Sequence, residues 1–476
     1  MTATVVWLRD DLRIHDNPAL HEAAQRGGQS AVLYVLDESR DIRPLGGATR
    51  WWLHHSLHEL QQQLRGIGTQ LILRRGNAAT VVKDLVTETG ADAVLWNRRY
   101  GLAERTADAE LKEWAQEHGI HAQSFQANLM FEPWQVRTGQ GENYKVFTPF
   151  WRACLAQPEP REPLPAPEEL KPAKLAGTNK NPSSEKLDDW QLLPTAPDWA
   201  GGLRAEWTPG EAGAHQRLDE FLDERLASYV DGRERPDKES TSRLSPHLRF
   251  GEISPFQIWH AAKASRTADV VDELQTFGSE IGWREFCWQL LYYNPDLATR
   301  NYRREYDAFE WEKDTDDDVR AWQQGRTGYP LVDAGMRQLW ATGWMHNRVR
   351  MVTASFLIKN LLVDWRVGEQ WFWDTLVDAD AANNPANWQW VAGSGADAAP
   401  YFRIFNPVTQ SRKFDPDGGY LQRFLPELSE LDSKAVHRPW NSSEASDAGY
   451  PTPIVDLGET RQRALDAYAK VKNRSG

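Results

Sequence analysis

The sequence has little of several features that would define other classes of protein. Only two cysteines occur among 476 residues, Cys154 and Cys287, and they form no C-x-x-C pair. We therefore expect neither a disulfide framework nor a cysteine-based zinc site, and a reducing compartment fits. No apolar run reaches membrane-spanning length and the N-terminus has no apolar signal region, which predicts a cytoplasmic protein that does not enter a membrane.

A net positive charge, a dinucleotide-binding motif and a metal-binding motif are also missing. The formal net charge of −13 argues against a general nucleic-acid binder. The first predicted strand is followed by Arg9-Asp-Asp-Leu-Arg13 and not by G-x-G-x-x-G, so the usual dinucleotide fingerprint is absent. No H-E-x-x-H or similar ligand spacing occurs, and we predict no metal site.

The hydrophobic pattern divides the chain into three regions. Residues 1–130 alternate short apolar runs with helical patterns, which predicts an α/β domain with a doubly wound parallel sheet. Nine prolines between Pro158 and Pro197 predict that residues 131–204 are an interdomain linker. Residues 205–476 predict an all-α domain. The predicted strands are 4–8, 31–36, 70–73, 93–96 and 122–125, and helices are predicted to begin near Pro18, Gly47, Ala78 and Ala103, with Ser245 and Ser254 as N-caps.

Tryptophan is the residue that the chain has in excess, with 23 occurrences, and most of these are expected in the core. Residues 378–390 read Asp-Ala-Asp-Ala-Ala-Asn-Asn-Pro-Ala-Asn-Trp-Gln-Trp. Two carboxylates, amide side chains and two indoles in so short a stretch fit a redox cofactor. The carboxylates can hold a polar ring edge, the amide can tune a ring nitrogen, and an indole is readily oxidised by one electron.

Three motifs together resemble the photolyase/cryptochrome family, and within it the class I cyclobutane pyrimidine dimer photolyases. They are residues 378–390, the upstream run Trp-Ala-Thr-Gly-Trp-Met-His-Asn-Arg-Val-Arg-Met at 340–351, and Phe-Arg-Ile-Phe-Asn-Pro at 402–407. The resemblance covers about residues 4–470. It implies an N-terminal α/β domain, a long interdomain loop and a C-terminal helical FAD-binding domain. It also implies light-driven repair of DNA containing pyrimidine dimers by electron transfer from reduced FAD.

The resemblance implies an FAD site made from two segments. A phosphate-binding segment is matched by Tyr229, Thr241, Ser242, Arg243, Leu244 and Ser245, although this run alone would indicate only ordinary helix caps. Positions beside the flavin ring are matched by Arg350, Asp378, Ala379 and Asp380, with Arg350 paired to Asp378. Asn384 matches the residue that faces flavin N5, and an amide there favours repair over signalling. Trp388, Trp365 and an exposed Trp311 match an electron-carrying chain of indoles.

The resemblance also implies a pocket for the dimer. Its matched members are Glu280, Trp283, Asn347, Met351 and Trp390, and residues that touch the lesion-bearing strand are matched by Arg233, Arg284, Arg348 and Gln410. We expect Trp283 and Trp390 to stack on the two flipped bases, and a protonated Glu280 in an apolar pocket to bond a base carbonyl. Without the other members, an E-x-x-W helical turn would indicate packing. Residues 343–362 and 398–414 contain Arg and Lys but no acid, which predicts a locally positive surface.

Two other functions remain open from the sequence. A cryptochrome-type blue-light photoreceptor would share the fold and the flavin, but few residues follow the last predicted helix, so we expect no long signalling tail. A non-photochemical flavoprotein is suggested by the parallel sheet and flavin site alone. The resemblance further implies a possible second antenna chromophore, a folate or a deazaflavin. No segment predicts a protein partner, and we expect a monomer.

Overall fold

A computed structural model describes residues 2–398 and 402–475. The N-terminal region is built on a parallel sheet with the strand order β3-β2-β1-β4-β5, and a short sixth strand pairs with β2. The strands are β1 (Ala3–Leu8), β2 (Gln29–Asp37), β3 (Leu71–Gly76), β4 (Ala93–Asn97), β5 (His121–Phe125) and β6 (Lys171–Pro172). The order reverses between β1 and β4, so their carboxyl ends form the topological switch point of the sheet.

Helices cover both faces of this sheet, and their starts follow local capping signals. The helices are α1 (Pro18–Arg26), α2 (Gly47–Gly66), α3 (Ala78–Thr89) and α4 (Leu102–Glu117). The side chain of Asn17 accepts from the backbone N–H of Leu20 at 3.2 Å and caps α1, with Pro18 at the first helical position. Strand β1 is buried along its whole length because apolar residues point to both helical layers. The predicted doubly wound domain is confirmed.

The proline-rich region lies against the first domain and also contains a helix. β6 adds to β2, and Leu170, Leu187 and Trp190 are buried with the core on the α2 face of the sheet. Helix α5 (Phe147–Leu155) packs on the helical domain instead. The region predicted as a linker therefore connects to both cores.

The C-terminal region is helical, as predicted. Its α-helices are α6 (Gly201–Glu206), α7 (Glu211–Glu220), α8 (Tyr229–Gly232), α9 (Ser245–Phe250), α10 (Pro255–Ala264), α11 (Val271–Tyr293), α12 (Asp316–Gln323), α13 (Pro330–Thr342), α14 (Asn347–Ser355), α15 (Trp365–Thr375), α16 (Asn383–Ala392), α17 (Pro407–Phe414), α18 (Gly419–Phe424), α19 (Ser443–Asp447) and α20 (Leu457–Ser475). Short π-helical segments occur at Phe221–Arg225 and Phe356–Asn360, and short 3-10 segments at Leu187–Trp190, Leu226–Ser228, Ala268–Val270, Arg304–Ala308, Pro426–Leu428, Ala435–His437 and Pro439–Asn441.

The two predicted serine N-caps have different outcomes. Ser254 forms a full capping box with Gln257 at the start of α10, as predicted. The prediction for Ser245 is wrong: Leu244 occupies the cap position, and Ser245 is the first residue of α9. Its hydroxyl is used elsewhere, because it donates to Asp378 in a distant loop. Within the described ranges, no helix combines the length and apolar character that a membrane crossing requires.

Candidate active site

Ser245, Asp378 and Arg350 join the two predicted halves of the cofactor site. The Ser245 hydroxyl donates to Oδ2 of Asp378 at 2.7 Å, and the Arg350 guanidinium donates to both carboxylate oxygens at 3.1 and 2.8 Å. Arg350 is itself fixed, since its Nε donates to the carbonyl of Met345 at 2.7 Å. Segments more than 130 residues apart thus meet at one carboxylate, and the predicted Arg350–Asp378 pair is confirmed.

The segment before α9 has the backbone and hydroxyl groups that an anion requires. Arg243 adopts a positive φ of 54°, which turns the chain into the first turn of α9. Its guanidinium pairs with Glu206 and lies over the rings of Trp207 and Trp344, at 4.5 and 4.7 Å from their centroids. Arg243 is therefore held by the protein, whereas the neighbouring hydroxyls, those of Thr241 and Ser242, have no hydrogen-bond partner within the described ranges.

Tyr229, the upstream member of the predicted phosphate-binding group, is buried. Its ring packs against Phe221 and Phe277, with Arg233 above it at 5.4 Å. Burial, with Glu280 nearby, raises the pKa of the Tyr229 hydroxyl. Arg233 contacts both Tyr229 and Glu280, and so it links Tyr229 to the predicted dimer pocket.

Asn384 lies in the first turn of α16 and is held by α15. Its Nδ2 donates to the backbone oxygen of Glu369 at 3.0 Å and to Glu369 Oε1 at 2.9 Å. Both of these partners are acceptors only, so the amide nitrogen must face them and the Oδ1 atom must point the other way. No described residue donates to this oxygen.

Asp380 and Ala379 shape the loop before α16. One Asp380 oxygen accepts the backbone N–H groups of Ala382 and Asn383 at 2.8 and 2.5 Å, and the other accepts from the Asn383 side chain at 2.7 Å. The Ala379 carbonyl accepts from Arg249 at 2.8 Å. Asp380 therefore organises the start of α16, a role that the predicted position beside the flavin ring did not include.

The three predicted relay tryptophans have graded exposure. Trp388 and Trp365 are buried, and the Trp365 indole donates to Asn301 Oδ1 at 2.9 Å. Trp388 lies against the first turns of α15, because a Cβ on Gly368 would be 2.1 Å from its ring. Trp311 is half-buried beside Phe309, and its neighbour Glu312 bonds to the carbonyl of Leu362, just before α15. Trp311 is thus less exposed than predicted, but it remains the most accessible of the three.

Glu280 lies in a charged environment and not in the apolar pocket that we expected. Its carboxylate pairs with Arg233 at 2.7 Å, and the Glu280 side chain is 36% exposed. Arg233 also approaches Glu234 at 3.8 Å, and Glu234 pairs with Arg348. The expected apolar surroundings are therefore wrong, and Glu280, Arg233, Glu234 and Arg348 form a row of alternating charges that we call the ion-pair row. Sequence reasoning missed Glu234, although its position beside Arg233 was visible.

The aromatic and polar members of the predicted dimer pocket lie on helices α11, α14 and α16. Trp283 is half-buried and stacked on Phe147 at 3.8 Å with an angle of 10°, so one indole face is already covered. Trp390 and Met351 are half-buried, and the Trp390 indole donates to the carbonyl of Asp397 at 3.0 Å. Asn347 is exposed at the start of α14. Phe147 had no sequence signal, because it lies in the predicted linker.

The residues predicted to contact the lesion-bearing DNA strand do not all face one surface. Arg348 lies in the ion-pair row and over the Phe414 ring at 4.5 Å, and Gln410 has a buried side-chain oxygen without a partner. Arg284 does not support the prediction. Its guanidinium donates to the carbonyl of Asn128 at 2.7 Å and is only 13% exposed, because it is turned toward the first domain.

Two buried basic groups near the site have lowered pKa values. Burial lowers the pKa of His346 to about 4, so the imidazole is neutral at neutral pH. Burial and the nearby Arg403 lower the pKa of Lys359 to about 7. The Lys359 ammonium bonds to the carbonyl of Arg403 and lies over Phe402 at 4.3 Å. His346 is poorly suited to donate a proton at neutral pH.

The donor set fits FAD. Hydroxyls without partners next to a helix start suit a pyrophosphate, an Arg-paired carboxylate suits a ring N–H, and the Asn384 oxygen is a free acceptor. Residues 2–398 and 402–475 contain no comparable set of metal ligands, that is, no cluster of three or more His, Cys, Asp or Glu side chains placed to hold an ion.

Comparison with known proteins gives the class to which this site belongs. Residues 4–168 match the family model described as DNA photolyase, and residues 277–470 match the FAD binding domain of DNA photolyase. The chain belongs to the photolyase/cryptochrome family.

Individual relatives are similar along nearly the whole chain. The deoxyribodipyrimidine photo-lyase of Agrobacterium fabrum is 50% identical over 98% of both chains. Cryptochrome-1 of Arabidopsis thaliana is 36% identical over 98% of this chain and 70% of that protein. A crystal structure of a bacterial class III photolyase from Agrobacterium tumefaciens has a TM-score of 0.94 and 49% identity, covering 99% of this chain and 98% of that one. This likeness does not support the expected class I assignment.

Proposed function

We propose that this protein is an FAD-dependent deoxyribodipyrimidine photo-lyase that uses light to repair cyclobutane pyrimidine dimers in DNA. The observation that carries the proposal is the 50% identity, over 98% of both chains, to a protein of that name. The arrangement of Ser245, Asp378 and Arg350 supports it. It connects the segment suited to the phosphates of FAD with the carboxylate suited to the flavin ring. We assign the chain to class III and not to class I, on its likeness to the class III structure.

The side chains have separate tasks in this proposal. Bound reduced FAD, when excited by light, would supply the electron that opens the dimer. Thr241, Ser242 and the start of α9 would bind its phosphates, and Arg350 would hold the Asp378 carboxylate in position to accept from a ring N–H. Trp388, Trp365 and Trp311 would carry electrons inward to restore the reduced state. A second chromophore, a folate or a deazaflavin, remains a prediction.

The substrate side of the site would hold the flipped dimer. Trp390 and the open face of Trp283 would stack on its bases, with Met351 in apolar contact. Asn347 and Glu280 would bond the base edges, and Arg233 and Arg348 would contact phosphates and position the strand. For this to happen, the DNA must compete with Glu280 and Glu234 for the two arginines.

A cryptochrome-type photoreceptor is the second candidate, and its supporting observation is the 36% identity to Arabidopsis cryptochrome-1. Asn384 distinguishes the two candidates, since an amide held by Glu369 cannot supply a proton to the flavin.

The deciding experiment illuminates purified protein with thymine-dimer DNA and measures the return of monomeric thymine. We expect repair that depends on light and on reduced FAD. Glu280→Ala should lower the repair rate at saturating DNA by at least about tenfold, because a positioned group is removed from the reacting bases. Its DNA affinity should be equal or higher, since Arg233 is released. FAD bound without any repair under light would exclude the enzyme and favour the photoreceptor.

A further inference from the structure

Asn384 is linked to the first domain through two side chains, Glu369 and then Arg43. Glu369, which accepts both amide hydrogens of Asn384, is 2% exposed. Its two carboxylate oxygens accept from the Arg43 guanidinium at 2.7 and 2.9 Å. Arg43 lies in the loop between β2 and α2, so the chain of hydrogen bonds runs from the first domain to the predicted flavin-facing amide.

The loop that carries Arg43 is clamped to α15 at several points. The Arg43 guanidinium lies 4.0 Å from the centroid of the Trp373 ring, and the Trp373 indole donates to the carbonyl of Pro44 at 2.8 Å. A Cβ on Gly46 would be 2.2 Å from the Trp373 carbonyl oxygen, and the N–H of Gly47 donates to Asp374 at 2.8 Å. This close approach leaves Arg43 little freedom to leave Glu369.

The charge of Arg43 determines what Glu369 can offer to Asn384. A buried carboxylate without a cation is strongly disfavoured and takes up a proton or water. A protonated Glu369 has a donor of its own, and it no longer requires the amide nitrogen of Asn384 to face it. Only the backbone carbonyl of Glu369 would then hold the amide nitrogen, so the amide would turn more easily and its oxygen would face the cofactor for less of the time. Paired with Arg43, Glu369 is an acceptor only and prevents this.

We infer that Arg43 is a positioning residue for the flavin, acting through Glu369 to keep the Asn384 oxygen as a hydrogen-bond acceptor toward the N5 edge. An acceptor there favours the reduced cofactor, which carries a hydrogen on N5, over the oxidised one, which does not. The first domain thereby contributes to the redox preference of the second. This inference rests on the proposed function for the placement of FAD beside Asn384.

The test measures the equilibrium between oxidised and reduced FAD in Arg43→Gln, in the dark and without DNA, against a reference dye. We expect the preference for reduced over oxidised FAD to fall about tenfold, which is the effect of one hydrogen bond. Arg43→Lys, which keeps the charge but not the two-point contact, should give an intermediate value.

Arg161→Gln is the matched control. Arg161 also pairs with a buried carboxylate, that of Asp16, and also lies over an aromatic ring, Phe256, at 4.1 Å. We expect a loss of stability similar to that of the Arg43 variant, with an unchanged flavin equilibrium. Equal flavin equilibria in the unsubstituted, Arg43→Gln and Arg43→Lys proteins would overturn the inference, and if Arg43→Gln does not fold, the comparison of Arg43→Lys with Arg161→Lys decides it. Repair is measured separately, so unaltered flavin equilibria in a protein that repairs dimers would refute only the role of Arg43.

Discussion

Glu234 would compete with DNA for the two arginines of the ion-pair row in the proposed function. It pairs with Arg348 and lies 3.8 Å from Arg233, while Glu280 neutralises Arg233 from the other side. Both arginines are mostly shielded from water, with side chains 17% and 19% exposed, so their attraction to phosphate is partly cancelled inside the protein. On a protein with a net charge of −13, this arrangement should keep binding to undamaged DNA weak.

Replacing Glu234 should therefore raise DNA affinity. In Glu234→Gln, Arg348 is free to contact a phosphate, and we expect binding to undamaged duplex to strengthen by about fivefold at moderate salt, with a steeper salt dependence. The measurement is a binding titration at several salt concentrations.

Glu239→Gln is the control for the Glu234 prediction, because it removes the same charge from an exposed pair with Arg423 at 3.8 Å. We expect less than about a twofold effect, as for most exposed ion pairs. If both variants strengthen binding equally, the net charge of the protein and not the ion-pair row limits its affinity.

At the scale of elements, helix α15 connects the parts of the proposed site. Its first residue is Trp365, its middle turn packs on Trp388 through Gly368, and Glu369 holds Asn384. A glycine at 368 is required because any side chain would enter the space of the Trp388 ring.

Gly368→Ala should disturb both stability and electron transfer. The new Cβ would lie 2.1 Å from Trp388 Cη2 and 2.7 Å from a Leu357 methyl, so the ring must move. We expect a loss of about 1–3 kcal/mol in the free energy of unfolding, typical of overpacking, and slower photoreduction of bound oxidised FAD. Denaturant unfolding and absorbance under steady light measure the two effects.

Gly66→Ala is the matched substitution, since it lies in α2 and its Cβ would meet nothing within 4 Å. It should be neutral or stabilising by up to about 1 kcal/mol, with unchanged photoreduction. Photoreduction at the normal rate in Gly368→Ala would argue against a role of Trp388 in the relay.

These elements show what the sequence could and could not predict. Strand periodicity and caps such as Asn17 are local, so the sheet was predicted to within a few residues. The Arg350–Asp378 pair followed from motif resemblance. The direction of the Arg284 side chain could not be predicted. Residues 280, 283 and 284 share about one helical turn, and only the packing of the two domains decides which of them points toward the first domain. The pairing of Arg43 with Glu369 spans 326 residues and has no local pattern.

For the molecule as a whole, buried charges join the two domains. Trp52 of α2 donates to Glu252, which also pairs with His247, and Glu211 accepts the backbone N–H groups of Ile14 and His15. Glu59 of α2 faces these acids, and one of its oxygens is buried without a partner. Because burial and then the nearby Glu211 and Glu252 disfavour its charge, the pKa of Glu59 is raised from 4.5 to about 7.

This raised pKa makes the domain contact depend on pH. Between the unfolded pKa of 4.5 and the folded pKa of about 7, the folded protein binds a proton at Glu59 that the unfolded chain does not. The stability from Glu59 is therefore fully present below about pH 4.5, is lost as the pH rises through about 7, and stays constant above that. Burial lowers the pKa of the neighbouring His55 to about 4, which has the opposite effect, so only a comparison of variants isolates Glu59.

Glu59→Gln, which imitates the neutral form, should remove this dependence. Its free energy of unfolding should equal that of the unsubstituted protein near pH 4 within about 0.5 kcal/mol, and exceed it near pH 8, where Glu59 is ionised beside two other carboxylates. Denaturant unfolding of both proteins across this range gives the difference, in which the contributions of His55 and other groups cancel. A constant difference between the two curves would mean that Glu59 ionises at the domain contact at the same pH as in the unfolded chain.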